Sequence, residues 1–275
     1  MKRQTDEFFI GWQDTMPAGY TRIIRRALGL IAGISLLAAA GWVLGQRGFE
    51  ASVFEFGMLK EIEGTLVMHP VPMLKRTNPD GTGTQSLLLV GLGKYGALET
   101  LRQFEAREGR SLDGATLRLR GSLIYHQDKT AFELTEGVQS LLAVLAPPAA
   151  YTPHTEPLGQ VTLLGEILDP KCALGVMKPG YGKPHRACAI RCLSGGIPAV
   201  LQITRPDGQS QYCLLAAEGR ATLDTRLLDY VADPIQICGR LVREDDWLVL
   251  YLPPTPRLYR LGYQTTMPGC GAAGV

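Results

Sequence analysis

Residues 115–134, ATLRLRGSLIYHQDKTAFEL, and residues 234–252, PIQICGRLVREDDWLVLYL, are written on one plan. In each, apolar residues alternate (Leu117 and Leu119; Ile235 and Ile237) up to a glycine, Gly121 or Gly239. The chain then reaches a charged turn at Asp128 or Asp246 and returns as an apolar strand. Period-two alternation, a polar turn and a second apolar run are the signal of a β-hairpin. A glycine inside such a strand marks a bulge or sharp bend, the device by which a small sheet curls into a barrel.

The plan extends upstream of both hairpins. LKEIEGTLVMHPVPML (59–74) corresponds to VTLLGEILDPKCALGV (161–176), with Gly64 matching Gly165, and SLLLVGLGKYGA (86–97) corresponds to SQYCLLAAEGRA (210–221). Helical spacing follows each. Leu98, Leu101 and Phe104 recur at three residues within 97–107, and Leu223, Leu227, Leu228 and Val231 recur at three and four within 221–231. Two strands, a third strand, a helix and a closing hairpin predict an OB-like barrel, twice. Between the copies, APPAAYTPHTEP (146–157) reads as an extended, exposed linker. The expected fold is mainly β with short helices (α+β): one N-terminal transmembrane helix followed by two tandem OB-like β-barrel domains. The expected boundaries are a cytoplasmic tail (1–26), a transmembrane helix (27–46), a first OB-like domain (50–145), a linker (146–158), a second OB-like domain (159–262) and a flexible tail (263–275).

The transmembrane expectation rests on ALGLIAGISLLAAAGWVLG (27–45), an uncharged run which with Gln46 reaches about 20 residues, enough to span a bilayer. Arg22, Arg25 and Arg26 precede it, while Glu50 and Glu55 follow soon after. The positive-inside rule places the N-terminus in the cytoplasm of a bacterium and the bulk of the chain in the periplasm, at the inner membrane. Arg25, Arg26 and the interfacial Trp42 are the anchor residues. Ala38–Ala40 as a signal-peptidase site and Arg25-Arg26 as a twin-arginine signal are the competing readings. The apolar run continues past the alanines, which favours an uncleaved anchor. Before it, Phe8, Phe9, Ile10, Trp12 and Tyr20 form an aromatic patch suited to the membrane interface or to docking on a membrane subunit.

A net charge of +2, with no basic stripe carrying aromatics, argues against a nucleic-acid partner. What distinguishes the second copy is an insertion, CALGVMKPGYGKPHRACAIRCLSGGIP (172–198), holding three of the six cysteines and one of the four histidines. The first barrel does without it, so the insertion has its own role. Pro184 suits a helix start and Gly195-Gly196 its end. On that helix His185, Cys188 and Cys192 fall within roughly 60° on one face. Cys172, at the end of the preceding strand, completes a Cys₃His set of the kind zinc takes. Met177 and Met68 are soft ligands if the metal is copper. The competing reading is a disulfide from Cys172 to Cys188 or Cys192, as an oxidising compartment favours.

The other candidates are plainer. Cys213 and Cys238 read as core cysteines able to form a cross-strand disulfide, and Cys270 lies in the tail. His69, His126 and His154 read as surface residues, and Asp245, Asp246, Glu133 and Glu136 as solvated charges. GLGKYG (91–96) is not a phosphate loop, because no helix with GK[ST] follows it, and no Ser-His-Asp grouping has supporting context, so the chain gives little sign of being an enzyme.

Residues 164–198 resemble a pattern of uncharacterised bacterial extracytoplasmic proteins. The matching positions are Gly165, Glu166, Asp169, Cys172, His185, Cys188, Ala189, Cys192, Gly195, Gly196 and Pro198, and FFIGWQ (8–13) with Met16-Pro17 is similar to the start of anchored members. The resemblance implies company with membrane respiratory or molybdenum-type oxidoreductases. The function expected is therefore a membrane-anchored periplasmic accessory subunit of a redox complex, its Cys/His segment a metal site (zinc or copper) or a disulfide-clamped docking loop. Its partners would be the membrane and other subunits. The alternatives are a thiol-disulfide or metal-transfer protein using Cys188 and Cys192, and a carbohydrate- or peptide-binding OB module.

Overall fold

A computed structural model describes residues 16–45, 51–78, 80–204, 210–220 and 223–262. The residues before 16, including Phe8 to Trp12, and Cys270 lie outside them. Helix α1 (Ala18–Gly45) has 28 residues, none buried, and is long and apolar enough to cross a membrane. It starts before the apolar run, so that Arg22, Arg25 and Arg26 lie on its N-terminal turns.

From Glu50 onward the chain is one compact unit. Its elements are β1 (Val53–Phe54), β2 (Lys60–Val67), β3 (Met73–Thr77), β4 (Thr84–Gly91), α2 (Leu98–Glu108), β5 (Thr116–His126), β6 (Lys129–Leu134) and β7 (Leu141–Ala146). There follow β8 (Thr155–Leu168), α3 (Arg186–Ser194), β9 (Val200–Thr204), β10 (Ser210–Ala217), β11 (Pro234–Glu244), β12 (Trp247–Leu252) and β13 (Leu258–Arg260). Two closed barrels result. The first runs β5-β2-β3-β4-β6 and back to β5; the second runs β11-β8-β9-β10-β12 and back to β11. In both, the third and fifth strands pair in parallel (β4 with β6, β10 with β12), and the other pairings in the ring are antiparallel.

The matched residues do matched work. A Cβ on Gly121 would sit 2.1 Å from the Glu133 carbonyl, and one on Gly239 would sit 2.7 Å from that of Tyr251. Each glycine is where the long strand presses on the strand that closes its barrel. Each hairpin turns on two residues, the first with positive φ: Gln127 (54°) and Asp245 (51°). The helical stretches diverge. The first forms α2 with Leu101 and Phe104 buried; the second is only a 3₁₀ turn, Thr225–Tyr230, started by the Asp224 carboxylate accepting from the Arg226 amide.

The continuous apolar runs have a specific cause. In β4, Leu87 and Leu89 enter the first barrel, while Leu88 and Val90 face a second core shared between barrels. In β10, Cys213 and Leu215 fill the second barrel, while Tyr212, Leu214 and Ala216 join the shared core. Both faces of these strands are buried, so neither alternates. The barrels pack through equivalent strands, β4 and β6 against β10 and β12. Trp247 anchors the joint, fully buried, its Nε1 donating to the Ser86 carbonyl at 3.2 Å.

Several charges read as solvated are buried here. Asp245, at the tip of the second barrel's hairpin, meets Lys75 of the first at 2.8 Å, with side-chain exposures of 4% and 6%. It also accepts from the Tyr151 hydroxyl and the His154 amide, each at 2.9 Å, which ties the linker down. Ser86 donates its amide to Asp246 at 3.1 Å. Glu133 is buried against Lys171, whereas Glu136 stays half-exposed beside Arg120. His126, also expected at the surface, is buried with Nδ1 3.0 Å from the Tyr212 hydroxyl. His69 and His154 are exposed as expected. Partners far along the chain make these charges affordable in a core.

Burial pushes the Asp245 carboxyl up, but Lys75 and the amide and hydroxyl donors outweigh it and hold it below the usual range. A lowered folded-state value stabilises the fold above the unfolded value, and that contribution is lost as pH falls through the folded one. Replacing Lys75 by Met strands the carboxylate and is expected to cost about 3–5 kcal/mol in denaturant unfolding at neutral pH. Adding Asp245→Asn, an amide tolerant of positive φ, should recover much of that loss; no recovery would show that the pair is not the seat of the effect.

Candidate functional site

The site is built where β8 ends. Past Leu168, Asp169 accepts the Cys172 amide at 2.9 Å, and residues Cys172–Val176 make one π-helical turn. Cys172 thus sits on that turn and not at the strand end. The loop beyond is pinned by Glu166, which accepts the Gly182 amide, and by Lys183 paired to Asp233. A 3₁₀ turn, Lys183–His185, then leads into α3, and Gly196 (φ 90°) closes it.

This path brings together all four residues expected from the sequence, in two overlapping sets. The sulfurs of Cys172 and Cys188 and a ring nitrogen of His185 lie within 4.8 Å of one another. So do a carboxylate oxygen of Asp169 and the sulfurs of Cys172 and Cys192. The Cys172 and Cys188 sulfurs are 3.8 Å apart and unbonded, and all three thiols are free. Cys172, Cys192 and His185 are buried, while Cys188 is half-exposed. His185 holds Asp169 through Nε2 at 2.8 Å, with both side chains fully buried. Its Nδ1 is buried without a hydrogen-bond partner. A buried ring nitrogen left unpaired costs about 1–3 kcal/mol unless something takes it.

Other participants were not read from the sequence. Lys94, in the GLGKYG loop of the first barrel, donates to the Cys188 sulfur at 2.7 Å. The loop is held by the Gly96 amide donating to the Gly195 carbonyl at 2.9 Å. The approach is so close that a Cβ on Gly96 would lie 2.0 Å from the Gly196 carbonyl, and one on Gly195 1.9 Å from that of Lys94. Lys171, buried, donates to the Gly91 and Gly93 carbonyls at 2.8 and 2.6 Å. Met177 places its thioether 3.5 Å from the Cys188 sulfur. Met68 packs on the first barrel's core and is not part of the site.

Electrostatically the thiols are unequal. Its hydrogen bond to Cys192, burial and the Asp169 carboxylate push the Cys172 thiol far up. The same hydrogen bond, helped by Lys94, pulls Cys192 down against its burial. Lys94 is itself pushed up by its bond to Cys188. Three sulfurs and a carboxylate thus converge with one exposed ammonium to balance them. The Cys213–Cys238 bridge does not form: Cys213 is free and buried, whereas Cys238 is disulfide-bonded.

No family model, curated protein or solved structure matches this chain. The site therefore stands on its geometry.

Exposure predicts an order of reactivity for the four free thiols among the described residues. Brief alkylation of the folded, reduced protein should label Cys188 first and leave Cys172, Cys192 and Cys213 largely unlabelled until denaturant is added. Peptide mass mapping reads the order, and equal labelling of Cys188 and Cys213 would contradict it.

Proposed function

We propose that the chain is a membrane-anchored extracytoplasmic subunit of a membrane-bound redox complex, and that Cys172, His185, Cys188 and Cys192 hold a thiolate-preferring metal ion. The observation that carries the metal reading is His185: Nε2 is committed to Asp169, Nδ1 is buried without a hydrogen-bond partner, and the ring brings a nitrogen within 4.8 Å of the Cys172 and Cys188 sulfurs. A carboxylate that orients an imidazole whose second nitrogen ligates is a recurrent feature of metal centres. The hydrogen bond to Cys192, burial and the Asp169 carboxylate keep the Cys172 proton in place, and a bound cation would offset them by stabilising the thiolate.

The remaining parts rest on different supports. The arginines on the first turns of α1, with Glu50 and Glu55 beyond it, support a periplasmic position for both barrels. The ring order and parallel closure, with a helix or helical turn between third and fourth strands, support the OB-like reading. The motif resemblance supports the redox complex, zinc and copper being the metals its donors suit.

A second reading has one specific observation behind it, the 3.8 Å between the Cys172 and Cys188 sulfurs. The Cys188 thiolate would attack a partner's disulfide and release one partner thiolate. Cys172 would then lose its proton and displace the second, leaving Cys172–Cys188 oxidised and the partner reduced. The raised Cys172 thiol works against that last step. For the third expectation, the strongly exposed aromatics of the barrels, Phe56, Tyr95 and Tyr181, sit on three separate loops.

Elemental analysis of full-length protein purified reduced from membranes tests the proposal. One metal equivalent is expected, lost in Cys188→Ser and in His185→Ala, and falling off as pH drops because the thiols must ionise to bind. Absence of metal together with a reversible Cys172–Cys188 disulfide would turn the conclusion to the second reading. Co-purification of the same preparation with other membrane subunits tests the complex.

A further inference from the structure

The donors come within reach of one another in overlapping groups. They form two sets of three that share Cys172, the outer with Cys188 and His185 and the inner with Asp169 and Cys192. Outside the outer set lies one more soft atom, the Met177 sulfur. The sulfurs therefore make a ladder: Met177 is exposed, Cys188 is half-exposed at 3.5 Å from it, and Cys172 is buried at a further 3.8 Å. The buried Cys192 sulfur lies within 4.8 Å of that of Cys172. Met177, in the loop between Val176 and Tyr181, is 42% exposed.

Zinc gains little from a thioether and prefers four donors in a tetrahedron. Monovalent copper takes thiolate and thioether together. Two or three sulfurs at a time are what this ladder offers at each rung. Charge agrees: one Cu⁺ on two thiolates leaves a single negative charge, and the Lys94 ammonium stands 2.7 Å from Cys188 to offset it.

We propose that the site takes copper as Cu(I), and that Met177 and Cys188 form its entrance, through which the ion is exchanged with a second soft-ligand protein by stepwise ligand replacement. The ion keeps its oxidation state throughout; each incoming sulfur replaces an outgoing one. The inference rests on the metal-site reading above and adds to it the identity of the ion, its route and a donor or acceptor partner with exposed Cys or Met ligands.

The test is an anaerobic titration of the full-length, detergent-solubilised, reduced protein with Cu(I) and, separately, with Zn(II), each against a chromophoric chelator. Wild-type protein should hold one Cu(I), with sulfur-to-copper absorption in the ultraviolet, and prefer it to zinc. Met177→Leu, of similar size at an exposed position, should speed copper loss to the chelator on the order of tenfold and leave zinc affinity unchanged. Stoichiometric zinc with no preference for copper, or copper exchange unaffected by Met177→Leu, would overturn this inference while the metal site stands. Failure of both ions to bind would overturn the metal site itself.

Discussion

One buried ammonium, that of Lys171, fixes the relation between fold and site. It neighbours Cys172 in sequence, yet its partners are Glu133 and the carbonyls of Gly91 and Gly93, all in the first barrel. An isolated buried charge is prohibitive, and this one is tolerable only because a carboxylate and two carbonyls meet it together. The geometry is thereby locked: if the first barrel moved, the ammonium would be stranded. The loop it grips is the loop that carries Lys94 to Cys188. Barrel packing and thiol electrostatics share one set of bonds.

The sequence showed what is local. Alternation, matched glycines and charged turns were readable in both copies, because strand period, close approach and turn composition act within a few residues. Helical spacing pointed to His185, Cys188 and Cys192 as one face, whereas His185 lies on the 3₁₀ turn before α3 and Cys192 groups with Asp169 and Cys172. What could not be read depends on contacts between barrels. Lys94 meets Cys188 from 94 residues away, and Lys75 meets Asp245 from 170. A charge in a hairpin turn is solvated by default, and only its distant partner reverses that. One further signal is in the sequence: SLLLV and YCLLA, without alternation, belong to strands buried on both faces, a pattern that implies a packed neighbour.

The insertion gains its chemistry by unequal burial. Asp169, His185, Cys172 and Cys192 are buried, and Cys188 is half-exposed beside Met177 and Lys94. Donors at graded depth differ in how readily they release a proton or accept a ligand, although three of them are the same residue type. A free Cys213 in the second barrel's core shows the contrast: its thiol, pushed up to about 12 chiefly by burial, is a packing group.

The contact of Gly96 with Gly195 brings two backbones together with no room for a side chain on either. Cutting the chain in its proline-rich connection would therefore not yield a working module and a spare. One fragment would keep the sulfurs without their ammonium, the other the ammonium without its sulfurs. Although the barrels look like duplicates, the smallest piece that can be inherited, exchanged or transplanted with its chemistry intact is the pair.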